Sequence, residues 1–475
     1  MTHTEDRLPP SILRRLLVRK PVGQFHDSGL KRVLGALDLT ALGIGAIIGT
    51  GIFVITGTAA ARWAGPGIIL SFIIAGIACA FAALAYAELA SMIPASGSAY
   101  TYAYSAFGEI FGWLIGWALI LEYVVASSAV AIGWSGYFVK ILHNVGLELP
   151  AAFVNAPGVV PGALMNVPAF VIALAVMALL IRGIKESANV STFFVFLKVL
   201  VLLLFIALML GHVNPGNWTP FMPKGFNGVM TGAATIFFAY IGFDAISTVS
   251  EEVKNPQRDL PIGLIASLGV CTVFYIVIAA IFTGVIPQSL YPKLLNDPAP
   301  LAFALEYVNK GWAAALLSVG AVTGITSVLV VLMMGQPRIF FAMARDGLLP
   351  KVFAKVHPRF GTPYVTTILT GVAIATLAAF TPISMVAELA NIGTLFAFIM
   401  AAIGVWVLRV KHPEWKRGFR APMLPVIAVG AVLSCGYMMI KLPHETWTRF
   451  GIWLTIGLVC YFSYGFRHSI LGKKA

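Results

Sequence analysis

The feature that most constrains this chain is a succession of apolar segments, each bounded by turns or charges and each about 20 residues long. A helix needs about that length to cross a bilayer, and a helix bonds all of its own backbone groups, as that solvent demands. About twelve such segments absorb more than half of the 475 residues, 59% of which are hydrophobic and 11% charged. An all-α polytopic membrane protein is expected, with no soluble domain. The formal net charge is +13. The cations fall in short runs between apolar segments, the pattern of cytoplasmic loops rather than of a nucleic-acid surface. Cys79, Cys271, Cys435 and Cys460 each sit inside an apolar run with no CxxC spacing. They read as packing residues, not as disulfides or zinc ligands. Residues 1–20 are polar and basic without an apolar core, so no cleavable signal is expected.

Charge between the segments sets the expected topology. Residues 1–36 form a basic cytoplasmic head. The loop 142–167 has no Lys or Arg and is placed outside, whereas Arg182 and Lys185 place the next turn inside. Later basic loops run from Arg338 to Arg359 and from Arg409 to Arg420. Twelve spans with both termini cytoplasmic satisfy this bias, in a multi-pass protein of the cell membrane. Spans 1–5 then occupy residues 37–212, spans 6–10 residues 213–410, and spans 11–12 with the tail residues 411–475.

Two of the spans are interrupted. Span 1 carries Gly45-Ala46-Ile47-Ile48-Gly49-Thr50-Gly51-Ile52-Phe53 near its middle, and span 6 carries Phe238-Ala239-Tyr240-Ile241-Gly242-Phe243-Asp244. Glycine inside a helix costs about 1 kcal/mol against alanine. A broken helix at membrane depth is tolerated only where it is buried in protein or lines a wet cavity. There the free N–H groups of the second half make an anion site and the carbonyls of the first half a cation site. A free amino acid carries both charges on one carbon, so this stretch is read as gripping one. Five spans separate the two breaks, and an odd number inverts the second unit. Matching breaks in two inverted halves point to a transport site at the membrane midplane.

These two motifs resemble the span 1 and span 6 motifs of the amino acid–polyamine–organocation (APC) superfamily. Glu251-Glu252-Val253-Lys254-Asn255-Pro256-Gln257-Arg258-Asp259-Leu260-Pro261 resembles the loop after span 6 in its cationic amino acid transporter branch and their bacterial relatives. The resemblance implies a LeuT-type 5+5 inverted repeat with discontinuous spans 1 and 6, plus two further spans. It implies substrate binding at Ile47, Gly49, Thr50, Gly51, Phe238, Ile241 and Gly242. The N–H groups around Thr50 and Gly51 would take the carboxylate, and the carbonyls of Ile47, Phe238 and Ile241 the ammonium. Phe238 matches the aromatic that closes over substrate from outside. Glu122, Ser127, Phe243, Ser327 and Val328 are candidates for the wall that reads the side chain; the competing reading of each is ordinary helix packing.

An ionisable residue deep in a span costs about 2.5–3.5 kcal/mol on insertion scales and is usually functional. Lys198 is the clearest case, and burial works against the charged form of a lysine. The resemblance adds that a span 5 lysine replaces the sodium ion in proton-coupled members, bonding to backbone around residues 43–46. Lys198 is therefore the expected proton carrier, with a permanently charged structural pin as the alternative. Protons would be the coupling ion, with no other cofactor. Glu122 could share that coupling, approach a cationic side chain, or be protonated and packed. Asp38 can cap span 1, and Asp244 is ranked structural first. Phe238 outside, and Glu251, Glu252 and Arg258 inside, are the gate candidates; a solvated loop is the alternative for the charged group.

No HExxH, GxSxG or clustered His or Cys lies at depth, so an enzyme is not expected. The reading is proton-coupled uptake of L-amino acids by alternating access, cationic ones by branch or small neutral ones such as alanine. An exchanger of the same fold is the alternative, and a sensor on a carrier scaffold a more distant one. The partners are the amino acid and the bilayer, without nucleic acid; a small accessory membrane subunit is not predictable from the sequence.

Overall fold

The computed structural model describes residues 12–21, 32–93, 97–183, 188–295 and 297–473, the side chains of 188–192 and 251 excepted. Among them there is no strand; two isolated β-bridges, Leu34 with Val253 and Val154 with Asn166, are the extended pairings. The main helices are α1 (Ala36–Ile47), α2 (Ile68–Met92), α3 (Ser98–Phe107), α4 (Glu109–Asn144), α5 (Val167–Arg182), α6 (Ala188–Met209) and α7 (Gly225–Ile236). They continue with α8 (Pro256–Val285), α9 (Gly311–Arg345), α10 (Tyr364–Phe380), α11 (Ile383–Lys411), α12 (Leu424–Lys441) and α13 (His444–Cys460). Eight helical stretches among the described residues are long and apolar enough to cross a membrane, the first of them spanning α1 to α2. The chain is an all-helical, multi-pass membrane protein.

Both sequence breaks are breaks in the chain path. α1 ends at Ile47, Ile48 turns extended (φ −72°, ψ 101°), and helix resumes with a π-helical turn at Gly51–Ile55. α7 ends at Ile236, tightens into a 3₁₀ turn at Phe237–Tyr240, and turns extended at Ile241. Gly242 then takes φ +115° and a 3₁₀ helix runs over Phe243–Glu252. The sequence placed one span over residues 228–249. Its second half is 3₁₀ rather than α, and Gly242 divides it from the first, because a regular helix cannot continue through a left-handed residue.

The two broken elements lie at the centre. Residues 51–55 pack on 237–240, and α1 packs against α6, α8 and α9. α4 forms the opposite wall, against α9, α10 and α11. The outer surface is apolar, with Phe196, Val273 and Leu433 each more than 60% exposed. Hydrocarbon as the surrounding solvent explains that inversion, since lipid tails are as apolar as leucine.

Two ties fix the ends of this core. The N–H groups of Val33 and Leu34 donate to the Glu252 carbonyl at 2.9 and 3.1 Å, and Lys254 N–H donates to the Leu34 carbonyl at 2.9 Å. This clasp joins the start of span 1 to the end of the span 6 segment. Elsewhere, Glu88 on α2 is fully buried and accepts from Arg409 and Arg417, and from Ala421 N–H at 2.9 Å. It locks α2 to the end of α11 and the loop beyond it. The four cysteines are free; three are buried and Cys460 is half-buried.

Candidate functional site

The glycines of the two breaks are what let the chain segments touch. A Cβ on Gly51 would lie 2.3 Å from Ala239 Cα, a backbone atom that cannot yield. A Cβ on Gly242 would meet the Ala46 carbonyl oxygen at 2.9 Å, and its φ of +115° excludes most side chains besides. Gly49 faces only a Val328 methyl, at 2.9 Å. Glycine is therefore required where break meets break.

Between them lies a cavity of about 10 Å³, lined by Ala46, Ile47, Gly49, Thr50, Gly51, Ala126, Val130, Phe238, Ile241, Val328 and Leu332. That volume suits about one water molecule, so admitting a larger ligand requires the walls to part. Thr50 is 1% exposed, and its hydroxyl donates to the Val130 carbonyl on α4 at 3.4 Å. Tyr137 of α4 donates to the Phe53 carbonyl at 2.8 Å and anchors the second half of span 1. The Phe238 carbonyl accepts from Ile241 N–H at 3.2 Å. The Ile47 carbonyl lies 2.8 Å from the Tyr275 hydroxyl of α8, which is equally close to the Ala239 carbonyl.

Of the residues predicted to bind substrate, Ile47, Gly49, Thr50, Gly51, Phe238 and Ile241 line this one cavity. Gly242 is not among the lining residues; it packs against the Ala46 carbonyl. Val328 also lines it. The other side-chain candidates do not. Phe243 is fully buried against Tyr86 and Phe398, with ring centroids 6.0 and 5.0 Å away. Ser327 bonds to its own helix at the Gly324 carbonyl, 3.0 Å away. Ser127 is fully buried beside the lining residue Ala126, and its hydroxyl has no partner among the described residues. Glu122 is 2% exposed and one of its carboxylate oxygens also has no such partner. The apolar wall is instead Ala126, Val130, Val328 and Leu332, none with a polar side-chain atom to mark it in the sequence, and of these Val328 alone was among the candidates.

Lys198 is fully buried beside the site, not in it. Its ammonium donates to the Gly45 carbonyl at 2.5 Å, within the stretch where the resemblance placed that bond. Its methylene stem passes Gly324 of α9, where a Cβ would lie 2.8 Å from Lys198 Cγ. Of the gate candidates, Glu252 pairs with Arg338 at 3.3 Å, and Arg338 also reaches the Thr248 carbonyl at 3.4 Å. Arg258 is exposed, on the first turn of α8. The Glu251 side chain lies outside the described residues. Asp38 accepts from Gly35 N–H at 2.9 Å and caps α1.

The family model for amino acid permeases matches residues 34–461, which include both breaks, Lys198 and the whole cavity. The chain belongs to the amino acid permease family. The permease is 50% identical over 463 residues to the methylthioribose transporter of Bacillus subtilis (strain 168), covering 98% of this chain and all of that protein. It is 51% identical over 449 residues to the branched-chain amino acid permease BcaP of the same organism, covering 94% and 96% of the two chains. Against the vacuolar cationic amino acid transporter 4 of Arabidopsis thaliana the identity is 38% over 418 residues, covering 85% of the permease and 68% of that protein. These matches make the chain a transporter of the APC superfamily rather than an enzyme.

Proposed function

We propose that this permease takes up aliphatic L-amino acids together with protons, by alternating access. The observation that carries the reading is the meeting of two chain breaks at one small cavity. Backbone N–H groups near Thr50 and Gly51 would hold the carboxylate, and the Ile47, Phe238 and Ile241 carbonyls the ammonium. Contacts made through backbone fix the α-carbon core and leave the side chain to the wall. That wall is Ala126, Val130, Val328 and Leu332, so it favours small or branched apolar side chains over a cationic one. The relative named a branched-chain permease supports that preference.

The proposed architecture is a 5+5 inverted repeat of residues 37–212 and 213–410. Residues 1–36 precede it at the cytoplasmic face, and two further spans and a cytoplasmic tail follow in 411–475. In this arrangement Lys198 carries the coupled proton, Phe238 closes the outer side, and the Glu252–Arg338 pair with Glu251 and Arg258 closes the inner side. The membrane is the cell membrane, and the other partner is the amino acid.

The 50% identity to a methylthioribose transporter favours a second reading, uptake of an uncharged thio-sugar. A ligand panel on the purified protein separates the two. A ligand that binds only the native state at 100 times its Kd stabilises it by about 2.7 kcal/mol. L-Alanine, L-valine and L-leucine are expected to raise the melting temperature, and L-lysine and the α-hydroxy analogues to raise it less. A rise with methylthioribose alone would overturn the amino-acid reading.

A further inference from the structure

The Tyr275 hydroxyl lies 2.8 Å from the Ile47 carbonyl and 2.8 Å from the Ala239 carbonyl. A phenol carries one proton, and a carbonyl has none to give. That proton can make only one full-strength bond at a time, so one of the two carbonyls is always under-served. The ring cannot move away to relieve this. Tyr275 is fully buried, with Phe72 and Tyr240 at ring-centroid distances of 5.4 and 5.3 Å. Tyr240 is itself pinned, donating to the Phe72 carbonyl at 2.8 Å. What remains free is rotation of the O–H bond.

The two acceptors are not equivalent. Ile47 ends the first half of span 1 and lines the cavity, whereas Ala239 sits in the tight turn of span 6 and does not. We infer that Tyr275 is a positioning residue that shares one proton between the two chain breaks. The arriving α-ammonium takes the Ile47 carbonyl, and the hydroxyl turns its proton to Ala239. No covalent bond changes; the O–H bond is kept and only redirected. Before the ligand arrives, one break is short of a donor. Afterwards both are satisfied, and span 1 and span 6 are tied through substrate and tyrosine together. The inference rests on the reading above, that the cavity takes an amino acid.

The test is to change how many protons position 275 can donate. Tyr275→4-aminophenylalanine keeps the shape and adds one hydrogen, so the neutral amine can serve both carbonyls at once. The ammonium must then displace a bond already made. The KM for uptake of an L-amino acid is expected to rise about tenfold, the worth of one hydrogen bond to a charged group. Inhibition by the matching α-hydroxy acid, which lacks the ammonium, should stay as in the parent. Tyr275→Phe frees both carbonyls and should raise the KM less than the amine does while lowering the melting temperature. A merely structural tie gives the opposite order, with Tyr275→Phe impaired and the amine as good as tyrosine or better. That order, or an equal loss for amino acid and hydroxy acid, overturns the inference. If Tyr275→Phe does not fold, the amine variant decides alone. Absence of saturable amino-acid uptake in the parent protein would instead overturn the transport reading beneath it.

Discussion

Lys198→Ala is expected to abolish accumulation of amino acid against its gradient while leaving exchange across the membrane measurable. The ammonium holds the Gly45 carbonyl at 2.5 Å, two residues before the cavity-lining Ile47. Its stem runs along α9 at Gly324, and a Cβ on Gly45 would meet Val195 of α6 at 2.9 Å. α1, α6 and α9 thus meet at one buried cation. A charge placed there is costly unless it is bonded. Binding and loss of its proton would therefore favour different positions of α1 over α6, which is the coupling that the proposed symport needs. We expect steady-state accumulation in Lys198→Ala to fall to the level set by exchange alone, about 100-fold if proton and substrate are coupled by about 2.7 kcal/mol. The dependence on external pH should disappear with it. Lys198→Met, which keeps the stem, should behave the same way. Full accumulation with unchanged pH dependence in either variant would reduce Lys198 to a structural pin.

Glu88→Gln is expected to give the largest loss of stability. The carboxylate has no exposed surface, and two guanidinium groups with 18% and 6% exposed side chains converge on it. Breaking one member of a buried ion cluster leaves uncompensated charge and costs about 3–5 kcal/mol. Here the residual charge would be two arginines, and the Ala421 N–H would lose its acceptor as well. Thermal unfolding of the purified protein should show a marked fall for Glu88→Gln. Removing the three charges together, in Glu88→Leu combined with Arg409→Met and Arg417→Met, should recover part of it. An unchanged melting temperature for Glu88→Gln would show that water reaches this cluster.

How far the sequence disclosed these features depends on how local each one is. The breaks were legible because glycine at mid-span is a local signal: Gly49, Gly51 and Gly242 lie at the points where α1 ends and the span 6 segment turns. Lys198 was legible because one charge in an apolar run is conspicuous. The directions of side chains were not. Phe243 sits next to Gly242, yet the 3₁₀ turn aims it at Tyr86 and Phe398 rather than at the cavity. Val328 lines the site while its neighbour Ser327 does not, a difference of one step of helical rotation. Glu88 and Tyr275 went unread for another reason. Their partners are distant in sequence, Arg409 at 321 residues and Ile47 at 228. A tyrosine in an apolar span needs a partner for its hydroxyl, but nothing local says which one. A mid-span tyrosine or a buried carboxylate therefore signals that a tertiary bond exists without naming its other end.

The central claim is proton-coupled uptake of an amino acid held by two broken helices. Its most direct test is uptake of labelled L-alanine, L-leucine and L-lysine into proteoliposomes, with an imposed inward proton gradient and without one. The account predicts accumulation of the aliphatic substrates only with the gradient, collapsed by a protonophore. Uptake that ignores the gradient and requires amino acid preloaded inside would contradict it and make this permease an exchanger.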